Sequence, residues 1–428
     1  MSEESIEKMM IPVQRAVFEE YWHVLDIGLI VPNLESKWSS WFFNLRALLS
    51  GVTMALMAGN FLYTCIAHAD NLGLMAFSLH MSILGIIGLG VLICSIKDRY
   101  RGIRFVHHFV VQMRDHCVYA DCEYNKELIK KRGQLKRKLA IFWPVYYGLT
   151  FVVLIVISPY IDSYLGTAPV PNESGDGFAM TLALPCWSPF DADHSTFGFI
   201  VTFAFELGYI AAILIPVSAG IFFYLGNQLA ILDHLRLLRH SLGELDKRAA
   251  KLHKSKYPGV KIDKYSTDFD DCYYECLRDN IRHHQYILKA ITEYQAIMSI
   301  PLFIPFLGAS MLIALSGAHI ISDDPKVAKK INEGAVACGE ILLMVLTCVL
   351  GEELTHESEN LFNAFYDTKW YNRSTRVKKA ISIGLYMTTQ PIVFKVGNLV
   401  TLNNSNLGVV MNSAYSTFNL FYATQQEK

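Results

Sequence analysis

Charged side chains are missing from long stretches of this chain. No Lys, Arg, Asp or Glu occurs in 47–67, 71–96, 139–161, 207–232, 294–321 or 396–426. A helix needs about 20 mostly apolar residues to cross a bilayer. The pattern predicts spans at about 47–67, 71–96, 139–161, 198–232, 294–321 and 334–351, the last interrupted by Glu340. A seventh is predicted at about 403–424. Between the spans the pattern changes. Leu235, Leu238, Leu242, Leu245, Ala249 and Leu252 repeat at alternating threes and fours, a seam on a charged helix that prolongs span 4. Tyr257-Pro258-Gly259 breaks it. A second helix begins near Phe269 and runs into span 5, with Cys276, Ile281 and Leu288 predicted on its inward side. Span 6 continues through Leu354, Leu361 and Phe365. Three extended helices should therefore pack together outside the membrane.

The end of the chain has a different pattern. Gln390-Pro391 and Gly397 interrupt any helix, which predicts a helix at about 373–389, a turn, and then the last span. That span is uncharged but carries Asn403, Asn404, Ser405, Asn406, Asn412, Ser413, Ser416, Thr417 and Asn419 beside Leu407, Val410, Ala414 and Phe418. Amides facing lipid are costly. They either line a water path, which demands several copies around an axis, or hydrogen-bond between helices of one bundle. Spacing alone does not choose.

Composition agrees with a membrane protein. Of 428 residues, 52% are hydrophobic and 18% charged, against about 25% charged in soluble domains. The net charge of −1 gives no reason to expect a nucleic-acid partner. The N-terminus, MSEESIEKMM, has no signal-peptide core, so the first span is expected to direct its own insertion.

Positive charge sets orientation. The stretches 1–46, 97–138, 233–293 and 352–379 hold 33 Lys and Arg, and the intervening loops with Lys428 hold four. This places the N-terminus in the cytosol and the C-terminus outside. The acidic loop 162–194 is then external, and its sequon at Asn172 is a candidate glycan site. The sequons at Asn372 and Asn403 should stay unmodified. Receptors coupled to G proteins have the opposite orientation. Asp98-Arg99-Tyr100 resembles their coupling motif but follows span 2 rather than span 3, where a basic helix end at lipid headgroups is the simpler reading.

No catalytic chemistry is evident. There is no phosphate loop or nucleophile elbow, and His356-Glu357 is followed by Ser-Glu-Asn, so a zinc motif fails. The nine Cys show no zinc spacing, and no cofactor or metal is expected. Cys186 sits in the external loop without an evident partner. A transporter would be expected to show a repeat of broken helices, and none is seen.

The C-terminal third resembles the insect odorant receptor family. The matching residues are Gly351-Glu352-Glu353-Leu354, Ser358, Leu361, Ala364-Phe365-Tyr366 and Trp370, then Thr389-Gln390-Pro391, Gly397 and Leu402, and finally Ser413-Ala414-Tyr415-Ser416-Thr417-Phe418. Their order over about 70 residues is specific, and the inverted topology agrees. Gustatory receptors share that topology, but their Tyr…Gln-Phe ending is replaced here by Asn419-Leu420-Phe421.

The resemblance implies an all-α protein of seven spans acting as the tuning subunit of an odorant-gated, non-selective cation channel. It would sit in the plasma membrane of a sensory neuron and assemble as a tetramer with a co-receptor subunit. Residues 1–351 would form the ligand-binding bundle and 352–428 the anchor and pore. The pore would be lined by the last helix, through Asn412, Ser416 and Asn419. Leu420 maps to the gate and Thr424 departs from its apolar pattern. The family's pocket, in the outer half between helices 2, 3, 4 and 6, implies Met75, Phe77, His80 and Met81, then Thr150, Phe151, Leu154 and Ser158, then Phe199, Phe203 and Glu206, and Cys338 with Leu342. An aromatic pocket suits a small cyclic volatile. Each Phe also reads as bundle packing. His80 either meets a ligand or satisfies a neighbouring helix. Glu206 and Glu340 read as a pair across helices 4 and 6.

Overall fold

The computed structural model describes residues 37–116, 119, 121–153, 157–167, 170–171, 173, 176–322 and 327–426. Helices dominate. In chain order they are α1 (Lys37–Ala67), α2 (Leu72–His116), α3 (Glu123–Val152), α4 (Ser158–Tyr164), α5 (Thr196–Gly243), α6 (Leu245–Lys256), α7 (Thr267–Ile321), α8 (Val327–Tyr366), α9 (Thr375–Thr388) and α10 (Asn404–Gln426). Two short antiparallel pairs join them: β1 (Phe178–Ala179) with β2 (Cys186–Trp187), and β3 (Lys395–Val396) with β4 (Val400–Thr401). Among the described residues, five segments, carried by α1, α2, α5, α7 and α8, are long and apolar enough to cross a membrane. The third and seventh predicted spans fall on α3 with α4 and on α10. In α3 the apolar run adjoins Lys136-Arg137-Lys138, and in α10 asparagines and serines dilute it.

α7 is the spine. It packs against α2 along much of its length, and against α10, α8, α6 and α5. Its prolines Pro301 and Pro305 lie inside the helix, a placement neighbouring helices make tolerable in a membrane bundle. The predicted seam is buried at Leu235, Leu238, Leu242, Leu245 and Ala249, and so are Leu354, Leu361 and Phe365; all belong to one core. A break at Glu244 separates α5 from α6. On α7, Cys276 is buried but Ile281 and Leu288 are only half-buried. The inward row instead runs through Phe269, Tyr273, Leu277, Asn280, His284, Ile287, Ile291 and Tyr294. It contains polar residues, so apolarity alone picks a neighbouring row.

Asn280 in that row is partnered, and so is the adjoining His283. Asn280 Oδ1 accepts from Ser241 Oγ at 2.9 Å and from Arg248 at 2.8 Å. His283 bridges Tyr119 and His234, at 2.5 and 3.2 Å. Burial drives His234 down to about 3 and His284 down to about 4, which keeps the rings neutral. Arg373, stacked on Tyr273, ties Asp246 on α6 to Asp270 on α7 at 2.6 and 3.5 Å.

The C-terminal motif residues now have physical reasons. Gly351 lies where the segment leading to α10 crosses α8, and a Cβ there would stand 2.2 Å from the Leu402 carbonyl oxygen. Ser358 Oγ accepts from the Ile392 amide at 2.9 Å, and Glu352 accepts from the Asn404 amide at the start of α10 at 3.1 Å. Gly397 adopts φ +59° in the β3–β4 turn, against the Phe303 ring. The predicted turn between the last two helices is this β3–β4 crossing. Gly351→Ala is expected to cost about 3 kcal/mol through overpacking against backbone and to lower the yield of detergent-extracted folded protein. Gly408→Ala, with open space around it, should leave the yield unchanged.

Candidate functional site

An apolar cavity of about 170 Å³ lies inside the bundle. α2 contributes Leu84, Ile87 and Val91. α5 contributes Ile213, Val217 and Ile221. α7 contributes Met298, Pro301, Leu302, Pro305, Phe306, Ala309 and Leu312, and α8 contributes Val336, Glu340, Leu343, Met344 and Thr347. Tyr147 closes the α3 side, and Leu402, two residues before α10, forms part of the wall. The helical prolines and Ala309 leave space along α7. Binding sites for small molecules are commonly of this kind, mostly apolar with a few placed polar groups.

Among the described side chains, none of those named for the pocket from the sequence lines this cavity. It begins one turn farther along α2 than Met81 and two turns farther along α5 than Glu206. It also uses α7, which the expected pocket left out. Phe77 is buried against His319 and under the Lys329 ammonium. The Met81 carbonyl accepts from Tyr209 at 2.5 Å, and Met75 is half-buried. Thr150 bonds back to the Tyr146 carbonyl. Phe199 stacks on Phe203 with ring centres 5.7 Å apart, and Phe199 is exposed, as is Cys338; Leu342 is exposed too. Leu154 and Asn172 lie outside the described residues, as do the side chains of Phe151, Ser158 and Thr424. The sequence signal for the cavity was present in Pro301 and Pro305 inside an uncharged run, and in Glu340 interrupting another.

His80 is fully buried, and its ring is saturated by protein. Nδ1 meets Glu333 at 3.1 Å and Ser316 at 3.0 Å, and Nε2 meets Glu340 at 3.0 Å. Of the two readings of His80, the geometry supplies the inter-helix one: α2 is tied to α7 and α8. The expected Glu206–Glu340 pair does not form, because His80 takes Glu340. Glu206 is fully buried on α5. Cys186 is buried with a free thiol. Arg99 packs over the Tyr100 ring and donates to Asn44, an arrangement that ties the end of α2 to α1.

On α10, Val410 and Ala414 are buried, whereas Asn412, Ser416, Asn419 and Leu420 form an exposed stripe. Ser416 bonds back to the Asn412 carbonyl at 2.9 Å. Phe418 closes against Gly317 of α7.

Among the described residues no group of His, Cys, Asp and Glu has the arrangement of a metal site.

Comparisons with known proteins point in one direction. The family model described as 7tm Odorant receptor matches residues 106–415. Odorant receptor 2a of Drosophila melanogaster is 24% identical over 241 residues, covering 56% of this chain and 59% of that protein. Putative odorant receptor 69a, isoform A, of the same species is 24% identical over 220 residues, covering 50% and 51%. The chain thus spans little more than half the length of these curated relatives. The fold is shared with the olfactory receptor OR5 of Machilis hrabei, solved in complex with eugenol. The TM-score is 0.75 at 13% identity, over 97% of this chain and 99% of that one. The family is one of receptors rather than enzymes. With its apolar helices and a match over most of its length, this multi-pass membrane chain belongs to the insect odorant receptor family.

Proposed function

We propose that this chain is the tuning subunit of an odorant-gated, non-selective cation channel. It binds a small volatile in the cavity between α2, α5, α7 and α8, and works with a co-receptor subunit in the plasma membrane of a sensory neuron. The observation that carries this reading is Leu402. It lines the cavity, and its backbone rests on Gly351 two residues before α10 begins. An occupant therefore touches the segment that leads into the proposed pore helix. The eugenol complex of the Machilis hrabei receptor supports a small cyclic ligand.

Charge asymmetry supports seven spans with the N-terminus in the cytosol. α7 to α9 and the cytosolic end of α5 then form the anchor, and α10 faces the axis. The exposed stripe Asn412, Ser416, Asn419 and Leu420 supports the pore assignment, since its amides are turned away from the chain's own bundle. Binding favours opening only by differential affinity for the open state, and Leu402 is the contact through which an occupant would reach α10.

In cells expressing the chain with its co-receptor, Ala309→Trp should fill the cavity. It should raise the odorant concentration for half-maximal current by tenfold or more, while Phe199→Ala leaves it unchanged. Equal responses from wild type and Ala309→Trp would remove the cavity from the account. His80→Ala leaves two buried carboxylates without their shared partner, at a cost of about 3–5 kcal/mol. It should abolish most surface labelling, and adding Glu333→Gln should restore part of it.

A further inference from the structure

We infer that the cavity selects a volatile carrying a hydrogen-bond donor, an alcohol or an amine on a compact hydrocarbon body, whose proton is accepted by the Glu340 carboxylate. This rests on the cavity being the odorant site.

The carboxylate of Glu340 is half used. Oε1 meets His80 Nε2 at 3.0 Å, and Oε2 is buried with no hydrogen-bond partner. The side chain is 15% exposed and forms part of the cavity wall. Among the described lining residues it is the charged one. A carboxylate accepts up to four hydrogen bonds and donates none. An oxygen left without a donor in apolar surroundings carries a desolvation penalty. The other polar groups in the wall do not relieve it. Thr347 spends its hydroxyl proton on the Met344 carbonyl at 2.9 Å.

Proton counting makes the site negative. His80 contacts two carboxylates, and each of the two contacts needs one proton. Whether both protons sit on the ring, or one on the ring and one on a carboxyl, the trio carries one net negative charge. Lys329 lies eleven residues before Glu340 on α8, about 16 Å along the helix, and covers the Phe77 ring. The Glu340 carboxylate, which stands in the cavity wall, thus keeps accepting capacity beyond its bond to His80. A ligand O–H or N–H completes it. An ether or hydrocarbon of the same size leaves it orphaned. Sites built to bond a polar hydrogen discriminate strongly against analogues lacking it.

The test uses matched probes on the detergent-purified full chain, reading ligand-dependent thermal stabilisation, whose concentration dependence reports affinity. Cyclohexylmethanol and cyclohexylmethylamine carry donors. Methoxycyclohexane, an isomer of the alcohol, and ethylcyclohexane carry none. The donors are expected to bind about ten- to a hundredfold more tightly, the range for a hydrogen bond to a charged group. Glu340→Gln should shrink that preference, most for the amine. Equal or stronger binding of the donor-free probes to wild type, or no stabilisation by alcohol or amine, overturns the inference even if Glu340→Gln does not fold. Ala309→Trp separates the two layers. If it abolishes binding of every probe while wild type shows no donor preference, the cavity stands and the inference falls. If binding with donor preference survives it, the cavity reading falls and takes the inference with it.

Discussion

Ionisable groups buried in an apolar bundle have to satisfy one another. For Glu333 and Glu340 that constraint is met by His80, placed between them with Ser316 beside it. The three ionisable groups come from α2 and α8, and the serine from α7. Removing one partner of such a set is far more costly than the set is stabilising, so the cluster specifies which helices adjoin. With α2 held to α8 across α7, the cavity opens beside the cluster, between these three helices and α5.

A second constraint operates where α8 meets the segment before α10. Gly351 permits the Leu402 carbonyl to approach within the radius of a methyl group. Glu352 holds the first amide of α10, and Ser358 holds the backbone at Ile392. These contacts hold the entry to α10 against α8 in the arrangement seen here. Leu402 is the exception that faces the ligand space. Coupling between sites needs an element with two arrangements that both sites bias, and in the proposed mechanism that element is the short crossing from β3 to α10.

Much of this was legible in the sequence, and the failures are instructive. Absence of charge located the apolar helices, and Tyr257-Pro258-Gly259 and Gln390-Pro391 located the breaks, because a helix cannot ignore proline geometry or the cost of a bare charge in lipid. The inner seam was legible on α5, where Leu235 to Ala249 are purely apolar. It was misplaced by one row on α7, where Asn280 and His284 sit inside and Asn280 is satisfied by partners far away in sequence. The same reason left His80 open between two readings. Its carboxylates lie some 250 residues along the chain, and no local pattern announces them. The expected pocket and the cavity differ because the first was placed by family resemblance and orientation and the second lies along the prolines of α7. The polar stripe of α10 was readable because it is local, a matter of residues three and four apart on one helix.

The account turns on α10 lining an aqueous path that opens when the cavity fills. The most direct measurement places a cysteine at Ser416, in the middle of the stripe, and follows its modification by a membrane-impermeant thiol reagent through the current of the chain with its co-receptor. The account predicts that modification blocks the current and proceeds faster while odorant is present. A cysteine at the exposed Leu48 of α1 should have no effect on the current. A Ser416 cysteine that is modified at the same rate with and without odorant, or whose modification leaves the current intact, would contradict it.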